Sequence, residues 1–235
     1  MSTERAPGNT DVQRNTEVQR LARLDTCVIS DALDALGLPP AVNGIGPIWR
    51  CGRAGGRAVT VALEPIEEAD PPPARHLGTA AVEAASAGDI IVVDNGGRTE
   101  AAGWGGLLGL AAHLAGVGAV VVDGACRDVD EMEQLGLPVF ARAATARTAR
   151  RRIGEVATNV PVSLGCVPVH PGDLVVADSS GVVIVPSERA EEVLRNAERL
   201  VAEEAAMAEQ IRAGVRPGEV MGRRYETILL RGRRS

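Results

Sequence analysis

Three apolar runs separated by segments of helical character constrain the fold of this chain more than any other feature. Residues 89–94 (DIIVVD), 117–124 (VGAVVVDG) and 137–141 (LPVFA) are too apolar to be strands with one face in water. Residues 103–116 are rich in glycine at their start and helical after it, and residues 127–136 begin a further helix. This order of strand, helix, strand, helix, strand is typical of parallel α/β units.

The flanking segments predict further elements around these units. We expect helices at residues 17–24, 74–86 and 187–213, a strand at residues 57–63, and a hairpin within residues 171–186 that turns at residues 179–181. Ser30 or Asp31 is expected to cap a helix that Gly37 ends, and Ser187 is expected to cap the long amphipathic helix. On the helix at residues 74–86, one face is predicted to carry Leu77, Ala81 and Ala84.

Composition excludes several classes of function. The formal net charge of −6 and the sequence pI of about 5.2 argue against a nucleic-acid partner. The sequence contains no lysine, which rules out a lysine Schiff base and a P-loop lysine. The four cysteines show no C-x-x-C spacing, so the spacing of a zinc site is absent. No apolar run is long enough for a transmembrane helix, and we therefore expect no membrane partner and a cytoplasmic location.

The stretch DGACRDVDEM, residues 123–132, places charged side chains directly after a buried strand. In an open α/β sheet, ligands bind at the carboxyl ends of the strands, so Arg127 and Asp128 are candidates for a site. The alternative is that Asp128 and Asp130 are only helix caps and first-turn acids that suit the helix dipole. From spacing alone, both interpretations stay open.

A second loop, within DNGGRTEAAGWGGLLG, is expected at the same edge of the sheet. Gly105 and Gly106 precede an apolar helix whose free N–H groups could bind a carboxylate or a phosphate. Together the two loops would offer backbone donors, an arginine and a metal-binding carboxylate, which are the groups that a 2-oxo acid requires. The three histidines are far apart and lie in no metal-ligand motif.

Residues 94–132, followed by VHPGDLVVADSSGVVIVP at residues 169–186, resemble the RraA-like family. This family contains the regulator of ribonuclease activity A and the metal-dependent 4-hydroxy-4-methyl-2-oxoglutarate aldolases. The resemblance extends from about residue 30 to about residue 205 and implies a layered α/β domain with a central mixed sheet and a long C-terminal helix. We therefore predict one domain at residues 17–213, a disordered tail at residues 1–16 and a C-terminal extension at residues 214–235.

The resemblance also implies roles for individual residues. Arg127 matches the arginine that contacts pyruvate and its enolate oxygen, and Asp128 matches the ligand of Mg²⁺ or Mn²⁺. Glu203, or next to it Glu204, matches an acidic residue that approaches the site of a neighbouring subunit. The substrate carboxylate is expected on the backbone of a loop formed by Gly105, Gly106, Leu107 and Leu108.

These matches predict a divalent-metal-dependent aldolase or lyase that cleaves a 4-hydroxy-2-oxo acid to pyruvate through a metal-stabilised enolate. Oxaloacetate decarboxylase activity is expected as well, and the resemblance implies a homotrimer or homohexamer. Asp123 is expected to be structural, and the arginine-rich run that follows Arg142 is expected to shape the outer pocket. Two alternatives are a non-catalytic regulatory binding protein and an enzyme of a specialised pathway that uses the same site.

Overall fold

The computed structural model describes residues 16–39, 41–66 and 75–222 as a layered α/β fold. The strands of its main sheet are β1 (Gly46–Pro47), β2 (Ala54–Pro65), β3 (Ile90–Trp104), β4 (Ala119–Cys126), β5 (Val139–Ala144), β6 (Ile153–Thr158), β9 (Leu174–Asp178) and β10 (Gly181–Val185). Seven of these eight strands run in the order β1-β5-β4-β3-β2-β9-β10, and β6 pairs with β2. A separate hairpin is formed by β7 (Val162–Leu164) and β8 (Val167–Val169).

Helices cover both sides of this arrangement. They are α1 (Thr26–Ala35), α2 (Thr79–Ala84), α3 (Gly106–Leu114), α4 (Val129–Leu135), α5 (Ala190–Arg212) and α6 (Pro217–Val220). Strands β2, β3, β4 and β5 are parallel, whereas β1, β6, β9 and β10 pair antiparallel. The central mixed sheet and the long C-terminal helix that the sequence predicts are thus confirmed.

The central strands are apolar because both of their faces are buried. All eight residues of β4 are buried. Val120 and Val122 pack with α2, α3 and α4, while Val121 packs on the opposite face with β7–β10. A third apolar cluster joins the outer face of the β9–β10 pair to α1 and α5. The near-continuous valine runs therefore mark strands that lie between two apolar layers.

Strand β3 differs from its prediction, because it continues through the glycine-rich stretch to Trp104. After Asp94, which lies beside Asp123, the register against β4 shifts three times, and extra residues of β3 bulge out between paired positions. At Gly124, φ is +152° and a Cβ atom would lie 2.6 Å from the carbonyl oxygen of Arg98. Gly124 thus allows a close approach between the two strands, and β4 continues past it to Cys126.

Two predicted helix caps are wrong. Asp25 caps α1 by accepting a 2.9 Å hydrogen bond from the Val28 N–H, so neither Ser30 nor Asp31 does so. Ser187 begins a short 3₁₀ turn, Ser187–Arg189, and its own N–H donates to Asp173. The first error arises because α1 already begins at Thr26, before the polar residues that the prediction took as its start. The second arises because Asp173, 14 residues earlier in the chain, accepts the Ser187 N–H. The end of α1 before Gly37, with φ at +68°, matches its prediction.

Other boundaries also shift. Residues 16–21 are helical and a turn follows them. Helix α2 is shorter than residues 74–86, with Leu77 before it and Ala84 exposed, so the predicted shared face is wrong.

The β9–β10 hairpin turns at residues 179–180, as the sequence predicts. The predicted terminal segments lie outside the described residues, except for Thr16 and for residues 214–222, which include α6. Among the described helices, none is long and apolar enough to cross a membrane.

The contact between β2 and the turn before β3 predicts a strong effect of one added methyl group. In Gly56→Ala, the new Cβ would lie 2.1 Å from the carbonyl oxygen of Gly88, so the backbone must move. We expect a loss of about 1–3 kcal/mol of unfolding free energy, measured by urea denaturation. Gly52→Ala is the control, because no atom lies within 4 Å of its Cβ position. Equal stability of the two variants would contradict this close approach of the two backbones.

Candidate active site

The carboxyl ends of β3 and β4 meet at a cavity of about 310 Å³. Strand β3 leads through Trp104 into α3, and β4 leads through Cys126 into α4. The Arg127 N–H donates a 3.0 Å hydrogen bond to the Trp104 carbonyl, which holds the two strand ends side by side. The cavity is lined by His76, Leu77, Ala102, Trp104, Gly105, Gly106, Leu107, Leu108, Arg127, Asp128, Thr148, Ala149 and Arg150.

The structure brings together six of the predicted site positions at this cavity. They are Gly105, Gly106, Leu107, Leu108, Arg127 and Asp128. The two loops lie about twenty residues apart in the sequence but share one edge of the sheet, because β3 and β4 are adjacent and parallel. This convergence favours the functional interpretation of DGACRDVDEM over a simple helix start.

Asp128 occupies the N-cap position of α4 but does not cap that helix with its side chain. Instead, its Oδ2 accepts a 2.9 Å hydrogen bond from the Gly106 N–H at the start of α3. The Arg127 Nε lies 3.1 Å from Oδ1 and 3.0 Å from Oδ2. The carboxylate of Asp128 therefore links the neighbouring helix start to the adjacent guanidinium.

The backbone of Asp128 adopts the left-handed conformation, with φ at 59° and ψ at 43°. Among residues other than glycine, aspartate and asparagine tolerate this region best. Backbone strain of this kind is enriched at functional sites. The conformation explains why an asparagine is a better test substitution at this position than an alanine.

Burial alone would raise the pKa of Asp128, but two interactions outweigh it. The Gly106 N–H and the Arg127 guanidinium both stabilise the charged form, so the pKa of this carboxyl lies below its ordinary value. About a quarter of the side chain is exposed, at 26%. Asp128 is thus a carboxylate at neutral pH and remains accessible from the cavity.

The start of α3 offers backbone donors to the same cavity. Among the described residues, none accepts a hydrogen bond from the Leu107 and Leu108 N–H groups, whereas the Gly109 N–H donates to the Gly105 carbonyl at 2.9 Å. Free N–H groups at a helix start attract anions. At Gly105, a Cβ atom would lie 3.1 Å from both the Arg127 Cγ and the Asp128 Oδ2. A glycine at this position therefore leaves space for the side chains of Arg127 and Asp128.

Asp128 fits a divalent cation that takes few ligands from the protein. Within the described ranges, no cluster of three or more histidine, cysteine or acidic residues could hold a metal ion. Mg²⁺ often binds through one or two carboxylates and keeps several waters, and an ionised carboxylate facing a cavity suits this mode. A zinc site of three or four protein ligands does not fit the described residues.

Other predicted residues lie elsewhere. Asp123 is 2% exposed and accepts hydrogen bonds from Arg142 and from the Gly165 N–H, in line with a structural role. Glu203 lies on α5, pairs with Arg199 at 2.7 Å and does not line the cavity of its own chain. Its approach to a neighbouring subunit, like that of Glu204, stays a prediction.

Sequence reasoning missed part of the cavity wall. His76 precedes α2 and lines the cavity although it belongs to no motif. Thr148 and Arg150 come from the connection between β5 and β6, in the arginine-rich run. The sequence analysis expected this run as a whole to shape the outer pocket, and the part of it that lines the cavity is Thr148, Ala149 and Arg150. No local pattern could identify them, since they approach the site only through tertiary packing.

Comparison with known proteins relates this geometry to a family. The model of the RraA-like family, described as Aldolase/RraA, matches residues 26–184. A protein of Halalkalibacterium halodurans named "Putative 4-hydroxy-4-methyl-2-oxoglutarate aldolase" is 35% identical over 192 residues, which span 80% of this chain and 85% of that protein. Protein DlpA of Legionella pneumophila is 30% identical over 177 residues, which span 75% of this chain and 28% of DlpA.

Solved structures agree with this assignment. An uncharacterized protein from Pseudomonas syringae pv. tomato superimposes with a TM-score of 0.78 at 30% identity, covering 88% of this chain and 98% of that one. RraAS2 of Streptomyces coelicolor, described as an unusual member of the RNase ES inhibitor RraA protein family, gives a TM-score of 0.71 at 28% identity, covering 87% and 98%. By sequence match and by fold, this chain belongs to the RraA-like family.

Proposed function

We propose that this chain is a divalent-metal-dependent lyase of the aldolase type that cleaves a 4-hydroxy-2-oxo acid to pyruvate. The observation that carries the proposal is the convergence of Arg127, Asp128 and the open start of α3 on one cavity. Relatives named as 4-hydroxy-4-methyl-2-oxoglutarate aldolases support an aldolase-like activity. Oxaloacetate decarboxylation is part of the proposal, because it also passes through the enolate of pyruvate.

Each group has a distinct task in this proposal. The free N–H groups of Leu107 and Leu108 bind the C1 carboxylate of the substrate, which places the 2-oxo group near Arg127. Asp128 would hold Mg²⁺ or Mn²⁺, and the bound cation would supply positive charge close to the 2-oxo oxygen. The Arg127 guanidinium stabilises the negative charge that develops on this oxygen as the C3–C4 bond breaks.

The residue types of the chain suit a mechanism without a Schiff-base intermediate. A Schiff base requires a lysine amine, and the sequence contains none. Enolate stabilisation then depends on preformed positive charge. The Arg127 Nε already donates to Asp128, which fixes the guanidinium before a substrate binds.

A regulatory role is the second candidate, because RraAS2, described as belonging to an RNase inhibitor family, shares the fold. The fold alone does not decide between catalysis and binding. A trimeric or hexameric assembly, a contribution of Glu203 to a neighbouring site and a cytoplasmic location remain predictions under either function.

One assay separates the two candidates. Pyruvate release from 4-hydroxy-4-methyl-2-oxoglutarate and from oxaloacetate is followed with Mg²⁺, with Mn²⁺ and with EDTA, against the same mixtures without protein. The lyase proposal expects enzyme-dependent release that EDTA abolishes. Release no faster than in the mixtures without protein, for both substrates and both metals, would contradict it and favour the binding role.

Asp128→Asn should reduce metal-dependent pyruvate release by at least about 100-fold, since the cation supplies several kcal/mol of charge stabilisation. Asparagine tolerates the left-handed backbone at this position, so the fold should survive. Mn²⁺ binding, measured by electron paramagnetic resonance, should weaken in parallel. Asp130→Asn on the first turn of α4 is the matched control. Normal turnover in Asp128→Asn would refute the metal assignment.

Arg127→Lys should lower kcat by about 100- to 1000-fold, the typical effect of removing one donor that stabilises an oxyanion. Lysine keeps the charge but cannot donate from a guanidinium Nε to both oxygens of Asp128. Steady-state kinetics separates kcat from KM. A change in KM alone would show that Arg127 binds the substrate and its transition state equally.

The lowered pKa of Asp128 predicts how stability responds to acid. Its charged form is favoured in the folded state, so its contribution to stability is present above the unfolded pKa of about 3.9 and is lost as pH falls through the lower, folded pKa. The difference in unfolding free energy between the wild-type protein and Asp128→Asn should therefore be constant near neutral pH and shrink below about pH 4. Urea denaturation at pH 7, 5 and 3 measures it; a difference that grows on acidification would contradict the pKa direction.

A further inference from the structure

His76 brings an imidazole ring to the cavity from the segment that precedes α2. The carbonyl of this residue accepts from the Thr79 hydroxyl, but within the described part of the chain no group forms a hydrogen bond or an ion pair with the ring. The residue is exposed. Its ring nitrogens are therefore available to a molecule bound in the cavity.

The segment that carries His76 packs directly on the start of α3. Two residues further on, Gly78 has φ at +79°, and a Cβ atom there would lie 3.0 Å from Trp104 Cζ3 and 3.1 Å from Leu108 Cδ1. Trp104 ends β3, and Leu108 lies in the first turn of α3. The backbone beside His76 thus lies against the part of the cavity at which the substrate carboxylate is proposed to bind.

Two hydrogen bonds and one buried side chain hold this segment in place. The Gly78 N–H donates to Glu155 Oε2 of β6 at 2.6 Å, and the Thr79 hydroxyl donates to the His76 carbonyl at 2.7 Å. Between them, Leu77 is 7% exposed and belongs to the apolar cluster beneath the cavity. The fold therefore fixes the backbone of His76 at the cavity.

The proposed cleavage requires a group that removes a proton, because the 4-hydroxyl group of the substrate becomes a carbonyl as the C3–C4 bond breaks. Arginine does not give up its proton in proteins, and the tryptophan indole only donates. Asp128 accepts from the Gly106 N–H and from Arg127, and both contacts stabilise its ionised form, which makes it a weak base. Imidazole, in contrast, takes up and releases a proton near neutral pH.

We propose that His76 is a catalytic residue, the general base that takes the proton of the substrate's 4-hydroxyl group. The inference rests on the proposed function and assigns one more step of it to a side chain. A ring nitrogen accepts the proton, and the electrons of the O–H bond form the C4=O double bond. The electrons of the C3–C4 bond form the C2=C3 double bond of the enolate. The imidazolium then returns the proton to C3, which gives pyruvate and restores His76.

Two substrates separate this role from a structural one. Oxaloacetate has no 4-hydroxyl group, so its C3–C4 bond breaks with loss of CO₂ before any proton is removed, and water can protonate the enolate. His76→Gln should therefore lower kcat for 4-hydroxy-4-methyl-2-oxoglutarate by about 100-fold or more, the usual contribution of a general base. Decarboxylation of oxaloacetate by the same variant should change little. Steady-state kinetics with Mg²⁺ measures both.

Two further variants complete the test. His113→Gln is the matched control, because His113 lies in the last turn of α3 and does not line the cavity. It should leave both rates unchanged. In His76→Ala, added imidazole should restore part of the cleavage of the 4-hydroxy acid, since a free base can occupy the vacated space. Circular dichroism confirms that each variant is folded.

Unchanged cleavage of the 4-hydroxy acid in His76→Gln would overturn the proposal and indicate that a water is the base. An equal loss for both substrates, or a selective loss that imidazole does not restore in His76→Ala, would also overturn it, because His76 would then only organise the cavity. Wild-type activity distinguishes these failures from failure of the proposed function. Wild-type protein that releases no pyruvate from either substrate would contradict the lyase itself, and the role of His76 with it.

Discussion

The hydrogen bond from the Gly106 N–H to Asp128 joins two strand–helix units, and the shape of the cavity depends on it. Asp128 comes from the end of β4, while Gly106 starts the helix that follows β3. With this hydrogen bond, the carboxylate lies between the start of α3 and Arg127. The Asp128 side chain thus sets the position of the α3 N–H groups relative to the Arg127 guanidinium.

The hydrogen bond between Gly106 and Asp128 requires that helices α3 and α4 pack closely together. At Gly106, a Cβ atom would lie 3.2 Å from the Asp128 Cβ and 1.8 Å from a carboxylate oxygen of Glu131, so a larger residue would displace the Glu131 side chain and press on Asp128. A few residues along α3, a Cβ at Gly109 would lie 2.3 Å from the sulfur of Met132. Small residues on α3 thus let the two helices approach, and the site depends on that approach.

The sequence predicted the parts of the structure that follow from local pattern. The valine runs identified strands buried on both faces, and the glycine loop and Arg127-Asp128 were placed correctly at one edge, because parallel strands end on the same side. Prediction failed at local helix caps and where contacts join distant segments. Asp25 rather than Ser30 or Asp31 caps α1, and β3 extends to Trp104 because Arg98, Ala102 and Trp104 pair with β4 between its bulges. His76 could not be foreseen, since it reaches the cavity from a separate loop.

The cavity has two parts with different origins. Its floor is built from strand ends, backbone N–H groups and the Arg127-Asp128 pair, so changing it would disturb the packing of the sheet. Its rim includes Thr148 and Arg150, which belong to one connection between β5 and β6, anchored at the carbonyls of Arg147 and Ala149. This separation makes the cavity modular: exchange of a loop of fewer than ten residues changes its rim while the Arg127-Asp128 pair and the start of α3 stay in place.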